Sequence, residues 1–255
     1  MVTATFRFYE ELNDFLPPER RKRDHTCPCA REASVKHMIE ALGVPHTEVE
    51  LILVNGASVG FDHRLRDGDR VAVYPVFEAL DIRPLLRLRE HPQRITRFVA
   101  DAHLGGLARL LRLAGFDTLY DNRFHDDDVV AISQREHRIV LTRDVELLKR
   151  RDVTHGCYVH ARRPEPQLQE IFRRLDLTGS VRPFSLCLSC NAPLRPVAKA
   201  EVIHRLPERV REQQEHFATC DQCGGVFWEG SHWRRMKALL DGVMAEAAGR
   251  DAPPA

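Results

Sequence analysis

Phe98-Val99-Ala100-Asp101-Ala102-His103-Leu104-Gly105-Gly106-Leu107 and, further along, Ile139-Val140-Leu141-Thr142-Arg143-Asp144 decide how this chain is read. Each is a short apolar run that ends in an aspartate and leads into a helical pattern. After the first, Leu104, Leu107, Ala108, Leu111 and Ala114 recur at helical spacing, and Gly115 stands where a C-cap glycine belongs. Residues 118–120 predict a short strand, and Asp126-Asp127-Asp128 opens a helix reaching about His137. A short helix over 145–149, a strand over 157–160 and a helix from Glu165 to about Leu175 complete the series. Strands alternating with helices predict a parallel sheet with flanking helices. In an open parallel sheet the carboxyl ends of the strands face the ligand crevice, so Asp101 and Asp144 are expected to converge there.

Carboxylates gathered without a cation repel one another, and a hard divalent ion removes the repulsion. Mg²⁺ or Mn²⁺ takes oxygen ligands and keeps water and substrate phosphate in its shell, an arrangement suited to phosphodiester hydrolysis. A third acid is expected from the Asp126-Asp127-Asp128 run. The competing explanation is helix capping, since an aspartate after a strand is a common N-cap and acids at a helix start suit its dipole. Arg143, Arg109 and Arg112 are candidate phosphate contacts; a wet helix face, or pairing of Arg143 with a carboxylate, is the alternative. His103 reads as a loop histidine.

Upstream, Val2, Ala4, Phe6 and Phe8 alternate with other residues over 2–9, as a half-buried strand does. Pro17-Pro18-Glu19-Arg20-Arg21-Lys22-Arg23-Asp24 reads as an exposed hairpin loop, and His25, Cys27 and Cys29 are assigned to that loop, where they could bind metal but more often carry no role. Ser34 can cap a helix to about Leu42, stopped by Gly43 and Pro45. Strands over 50–54 and 70–74, with turns at Asn55-Gly56 and Asp67-Gly68-Asp69, follow in β-grasp order across residues 1–80. Residues 78–93 read as a linker.

Downstream of about Phe184 stand Cys187-Leu188-Ser189-Cys190 and Cys220-Asp221-Gln222-Cys223. Two C-x-x-C pairs can supply four thiolates to a tetrahedral zinc with Zn–S near ~2.3 Å. In a reducing compartment that spacing favours metal ligation over disulfides, and a redox pair is the alternative. Such a site has no open position, so the zinc is expected to be structural. Gly224 and Gly225 let the second knuckle turn tightly. The 29 residues between the pairs exceed the usual ribbon spacing and predict a hairpin or short excursion. A helix from Trp233 to Ala248 ends the segment 184–248. Phe227, Trp228 and Trp233 read as packing around the ribbon before they read as base-stacking surfaces.

Charge is uneven beneath the formal net of +1. Residues 81–183 carry 19 Lys and Arg against 15 Asp and Glu, a basic surround for an acidic pocket that suits a nuclease. No apolar run approaches the ~20 residues needed to span a bilayer, and the start Met1-Val2-Thr3-Ala4-Thr5-Phe6-Arg7 is unlike a signal peptide. No membrane association and a cytoplasmic location are the expectation.

The stretch from Phe98 to Thr118 resembles the opening of the PIN-like RNase family of the Mut-seven C-terminal type. Arg138-Ile139-Val140-Leu141-Thr142-Arg143-Asp144 is similar to that family's second motif, and the cysteine pairs with Gly224-Gly225-Val226-Phe227-Trp228-Glu229-Gly230 are similar to its appended zinc ribbon. In bacteria the family often has a ubiquitin-like domain in front, which residues 1–80 match. Leu53-Val54-Asn55-Gly56 and Leu65-Arg66-Asp67-Gly68-Asp69-Arg70-Val71 also resemble the ubiquitin-like sulfur carriers. Those end in Gly-Gly, whereas this chain runs on through Pro75-Val76-Phe77-Glu78, so a binding or docking role toward a protein partner is expected instead of carrier chemistry. The resemblance implies an α/β fold with a PIN-like parallel sheet over 94–183, RNA as substrate, and a metal-dependent acidic site. By position it selects Asp101 and Asp144, with Asp127 or Asp128 between them. The reading is a metal-dependent ribonuclease; a non-catalytic RNA- or ribosome-binding adaptor is the runner-up. The β-grasp domain, which holds none of the proposed ligands, is expected to be dispensable for chemistry.

Overall fold

Alternation in the first strand places its apolar residues inside: β1 (Val2–Phe8) buries Ala4, Phe6 and Phe8. In the computed structural model, which describes residues 1–75 and 96–248, β1 pairs antiparallel with β2 (His25–Cys29). His25, Cys27 and Cys29 are therefore strand residues, which corrects their assignment to the loop. Pro28 hid the strand, because proline argues against a central strand but is tolerated on an edge, and β2 is an edge. Cys29 faces the core. The Cys27 thiol is pushed up to about 11, first by burial and then by Cys29, which makes it a poor metal ligand.

Helix α1 (Val35–Ala41) starts as expected, with Ser34 Oγ accepting from the His37 amide at 3.2 Å. Strands β3 (Leu51–Val54), β4 (Ala57–Ser58) and β5 (Asp69–Tyr74) complete a sheet in the order β2-β1-β5-β3-β4. Only β1 and β5 run parallel in it. Asn55 and Gly56, both at positive φ, make the tight turn from β3 to β4. Phe6, Leu12, Ile39 and Ile52 are fully buried in this β-grasp core, each contributing ~1.5–3 kcal/mol. The linker expected over 78–93 lies outside the described residues.

The alternating part runs β6 (Phe98–Ala100), α2 (Gly105–Leu113), β7 (Thr118–Leu119), α3 (Asp126–Glu136), β8 (Ile139–Thr142), α4 (Val145–Lys149), β9 (Gly156–Tyr158) and α5 (Pro164–Arg174). β7 pairs parallel with β6 and β9 parallel with β8. Each pair is bridged by a helix, as parallel neighbours require. Leu107, Ala108 and Leu111 form the buried stripe of α2. Gly115 follows its C-cap at φ 93°, where any side chain would collide with the Arg182 carbonyl. Phe116 bridges Phe98 and Phe172 edge-on, at centroid distances of 6.1 and 5.8 Å.

Strands β10 (Arg195–Val197), β11 (Phe217–Thr219) and β12 (Val226–Trp228) form an antiparallel sheet. The excursion expected between the cysteine pairs is largely helical, with α6 (Lys199–Val202) and α7 (Glu208–Gln213). Val202 and Leu206 bury themselves against Phe217 of this sheet. Helix α8 (Ser231–Ala248) closes the described chain.

The molecule divides into two units, Met1–Ile95 with Ser133–Tyr158 and Thr96–Ile132 with Val159–Ala255. Within the first, the β-grasp domain props strand β9. Glu48, 2% exposed, accepts from the Tyr158 amide through Oε1 at 2.5 Å. His46 Nε2 lies 2.9 Å from the Val153 carbonyl, and Phe15 meets Tyr158 edge-on at 5.2 Å. Because β9 pairs with β8, which leads to Asp144, removing the β-grasp domain strips buried partners from that strand pair. The dispensability expected of the domain concerns chemistry, and these contacts add a role in stability. Glu48→Ala should lower stability by on the order of 1–3 kcal/mol by orphaning a buried amide. Glu48→Gln, which keeps an acceptor oxygen, should lose less. Urea unfolding midpoints check this, and equal midpoints for Glu48→Ala and the wild type would show that the clamp is idle.

Candidate functional site

Each cysteine pair frames a turn closed by the same backbone bonds. Cys187 N–H donates to Ala192 O at 2.7 Å and Asn191 N–H to Cys187 O at 2.9 Å. In the second turn, Cys220 N–H donates to Gly225 O at 2.9 Å and Gly224 N–H to Cys220 O at 2.8 Å. Asn191 (φ 68°) and Gly224 (φ 72°) occupy equivalent left-handed positions just after each pair. Gly224 was legible in the sequence; Asn191, the less obvious of the two residue types that adopt this conformation, was not singled out.

The two turns face one another. All four sulfurs lie within 4.8 Å of each other, with Cys187–Cys223 at 3.6 Å and Cys190–Cys220 at 3.4 Å. Sulfurs ~2.3 Å from a central zinc would be ~3.8 Å apart at tetrahedral geometry, so this donor set could hold a zinc ion. Burial opposes ionisation of Cys220, yet hydrogen bonds from the Cys223 and Gln222 backbone and neighbouring thiols bring it down to about 7. Cys190 is pushed up to about 12, chiefly by burial.

Arg112 does not meet the expectation of a phosphate contact. It is 4% exposed, with Nε donating to Thr118 O at 2.9 Å and Nη1 to Leu188 O and Ser189 O at 3.2 and 2.9 Å. Burial lowers its pKa, while Cys190, Cys187 and Asp117 act in the opposite direction. A side chain so enclosed cannot reach RNA; it ties α2 and β7 to the first knuckle. Asn191 strengthens the tie by accepting from Thr118 N at 3.0 Å and donating to Asp117 Oδ1 at 2.5 Å. The available clue was spacing, since Arg112 follows Ala108 by four residues and so falls on the apolar stripe. Arg109 is exposed, as a phosphate contact must be.

Asp101 follows β6 directly and is 8% exposed. Its carbonyl accepts from Leu104 N at 2.9 Å, but its carboxylate makes no capping bond, so capping does not explain it. The turn is held by Tyr120, whose hydroxyl donates to Ala102 O at 3.0 Å and whose ring lies 2.6 Å from where a Cβ on Gly105 would stand. Asp144 does cap its helix, with Oδ1 accepting from Glu146 N at 2.8 Å and Leu147 N at 3.4 Å. Its Oδ2 has no partner among the described residues, and the residue is exposed. Beside it, Arg143 Nε is buried without a hydrogen-bond partner among the described residues. Asp126, Asp127 and Asp128 are exposed at the start of α3, and Asp128 Oδ2 accepts from His125 N at 3.0 Å. Asp101 belongs to the second unit and Asp144 to the first. His103 is exposed in the turn after Asp101.

Residues 96–240 match the family described as the Mut7-C RNAse domain. The chain belongs to the Mut7-C RNAse family. Residues 1–81 match a second family, Mut7-C ubiquitin, in agreement with the β-grasp sheet. Among solved structures, the small archaeal modifier protein 1 of H. volcanii is similar at 16% identity. That likeness covers 29% of this chain and 98% of the modifier, with a TM-score of 0.24. A structure of SAMP1 from Haloferax volcanii is similar at 15% identity, over 30% of this chain and 98% of that one, with a TM-score of 0.25. No curated protein matches. The Mut7-C RNAse match takes in Asp101, Asp144 and all four cysteines. Among the described residues, no helix is long and apolar enough to cross a membrane.

Arg112→Ala should destabilise the protein by on the order of 3 kcal/mol, since three carbonyls lose their donor. Arg112→Lys should recover only part of this, because one ammonium cannot reproduce the guanidinium fork. Denaturant midpoints with limited proteolysis of residues 184–248 provide the measurement; unchanged values for Arg112→Ala would remove its structural role.

Proposed function

We propose that this protein is a metal-dependent ribonuclease that hydrolyses RNA phosphodiester bonds at a site built on Asp101 and Asp144, with Asp127 or Asp128 as third acid. The observation that carries the reading is that β6 and β8, each in a parallel pair, both lead into an aspartate at their carboxyl ends, where α/β sheets bind ligands. Membership of the Mut7-C RNAse family supports the choice of RNA. The donors are hard carboxylate oxygens, which fit Mg²⁺ or Mn²⁺; bound there, either ion would supply charge neutralisation and water activation.

The chain's own residues divide the remaining work. Burial holds the Asp101 carboxylate away from bulk water. Asp144 is oriented by its own helix through Oδ1, leaving Oδ2 for a ligand. Arg143, half-buried beside Asp144, carries a guanidinium suited to a phosphate oxygen, and exposed Arg109 can meet the RNA backbone further along α2. The same reading gives the four cysteines one structural zinc, divides the chain into residues 1–80, 94–183 and 184–248, and sets it in a reducing cytoplasm that keeps its thiols free.

Metal analysis of protein purified without chelators should find one zinc per chain. Cys220→Ser should lose it and open residues 184–248 to protease, because thiolate–zinc binding supplies folding free energy to such segments. Zinc-free yet fully protease-resistant wild type would refute the assignment.

Asp101→Asn and Asp144→Asn should each reduce RNA cleavage to background. Asn remains a good N-cap, so Asp144→Asn keeps its helix start and removes only the charge. Stability should stay within about 1 kcal/mol of the wild type, the scale of the helix-dipole contribution. RNA binding should persist and weaken with salt; EDTA should silence the wild type and Mn²⁺ restore it. Wild-type cleavage by either variant would refute the site, and an uncleaved but bound RNA in the wild type would favour an adaptor.

A further inference from the structure

The C-terminal segment carries a second feature that the acidic strand ends do not use. A groove of about 760 Å³ opens among β10, β11, β12 and the start of α8, a size typical of ligand clefts. Phe184, Trp228 and Trp233 line it and are each half-buried, so ring surface remains open. Phe184 stacks on Trp233 at 4.8 Å with 25° between the planes. Phe184 also holds a left-handed backbone (φ 58°), unusual for a bulky residue, with its amide bound to Leu113 O at 2.9 Å. Such strain gathers where a side chain must be aimed.

The polar groups around the groove, together with its open rings, point to the occupant. Arg109, His216 and His232 are exposed on its lining. Of the two acids there, Glu215 is taken by Lys199 at 2.6 Å, and Glu229 is exposed. Flat aromatic faces beside the Arg109 guanidinium and the exposed imidazoles of His216 and His232 fit an unpaired nucleobase with its flanking phosphate, since bases stack regardless of sequence while a guanidinium meets the backbone. Arg109 lies on α2, the helix that follows Asp101 after one turn.

We propose that this groove binds an unpaired nucleobase of the RNA, with Phe184 and Trp233 as the stacking pair and Arg109 on the adjoining phosphate. The inference rests on the ribonuclease reading but is tested by binding alone. Both tryptophans of the chain line the groove, so intrinsic tryptophan fluorescence reports on it directly. In the zinc-loaded full chain without added Mg²⁺ or Mn²⁺, a short oligoadenosine RNA should quench that fluorescence and shield it from acrylamide. The same sequence as a duplex, and inorganic polyphosphate, should do neither. Trp233→Leu and Phe184→Leu, with zinc content confirmed, should each raise the Kd for the single strand by on the order of tenfold; Trp233→Phe should largely restore it.

Wild-type Kd in zinc-loaded Trp233→Leu, or equal quenching by polyphosphate, would overturn the proposal. Wild-type quenching needs no variant, so it decides the matter even if the leucine variants misfold. A protein that cleaves RNA with Mn²⁺ while its tryptophans stay unquenched would lose the groove and keep the ribonuclease. Quenching by single strands without cleavage would keep the groove and overturn the ribonuclease.

Discussion

A guanidinium taken out of water must be met by acceptors or it unfolds its surroundings, and Arg112 imposes that condition on the second unit. Its donors reach Thr118, at the start of β7, and Leu188 and Ser189, inside the first cysteine turn. The helix after Asp101 cannot shift without breaking bonds to the knuckle, and the knuckle cannot relax without exposing the cation. Four thiolates around Zn²⁺ would carry a net charge of about −2, and a buried arginine alongside offsets part of it. The cysteine segment is thus built into the nuclease fold as a wall of it.

In the first unit the β-grasp domain plays a comparable part for β9. Glu48 and His46 come from the short turn before β3 and meet the backbone of residues far along the chain. The carboxylate is almost completely buried, so its bond to Tyr158 is made in a low dielectric, where both its formation and its loss matter more than on the surface. A ubiquitin-like domain here is a structural support of the strand pair leading to Asp144, whatever further partner it meets.

The two strand-end aspartates look alike in sequence and behave differently. Asp144 serves its helix with one oxygen and keeps the other open; Asp101 is buried and caps nothing. Capping and catalysis therefore coexist at Asp144 in the proposed site, and an exposed position lets one carboxylate do both. Asp101 is held by burial, and Asp144 by its own helix.

Periodicity, capping residues and C-x-x-C spacing were sufficient to read the β-grasp order, the alternating strands and helices, the Ser34 cap, the Gly115 stop and the four-thiol set. Each of these depends on residues close together in the chain, where φ/ψ preference and side-chain direction act directly. Local rules did not reach strand β2, whose Pro28 is acceptable because β2 is the edge of its sheet among the described residues. They also missed the helical excursion between the cysteine pairs, which is stabilised when Val202 and Leu206 bury against Phe217. The burial of Arg112, the pairing of Asn191 with Thr118 and Asp117, and the grip of Glu48 on Tyr158 were decided only by tertiary structure. In each, donor and acceptor are distant in sequence, and a polar side chain becomes structural or functional according to which distant backbone removes it from water.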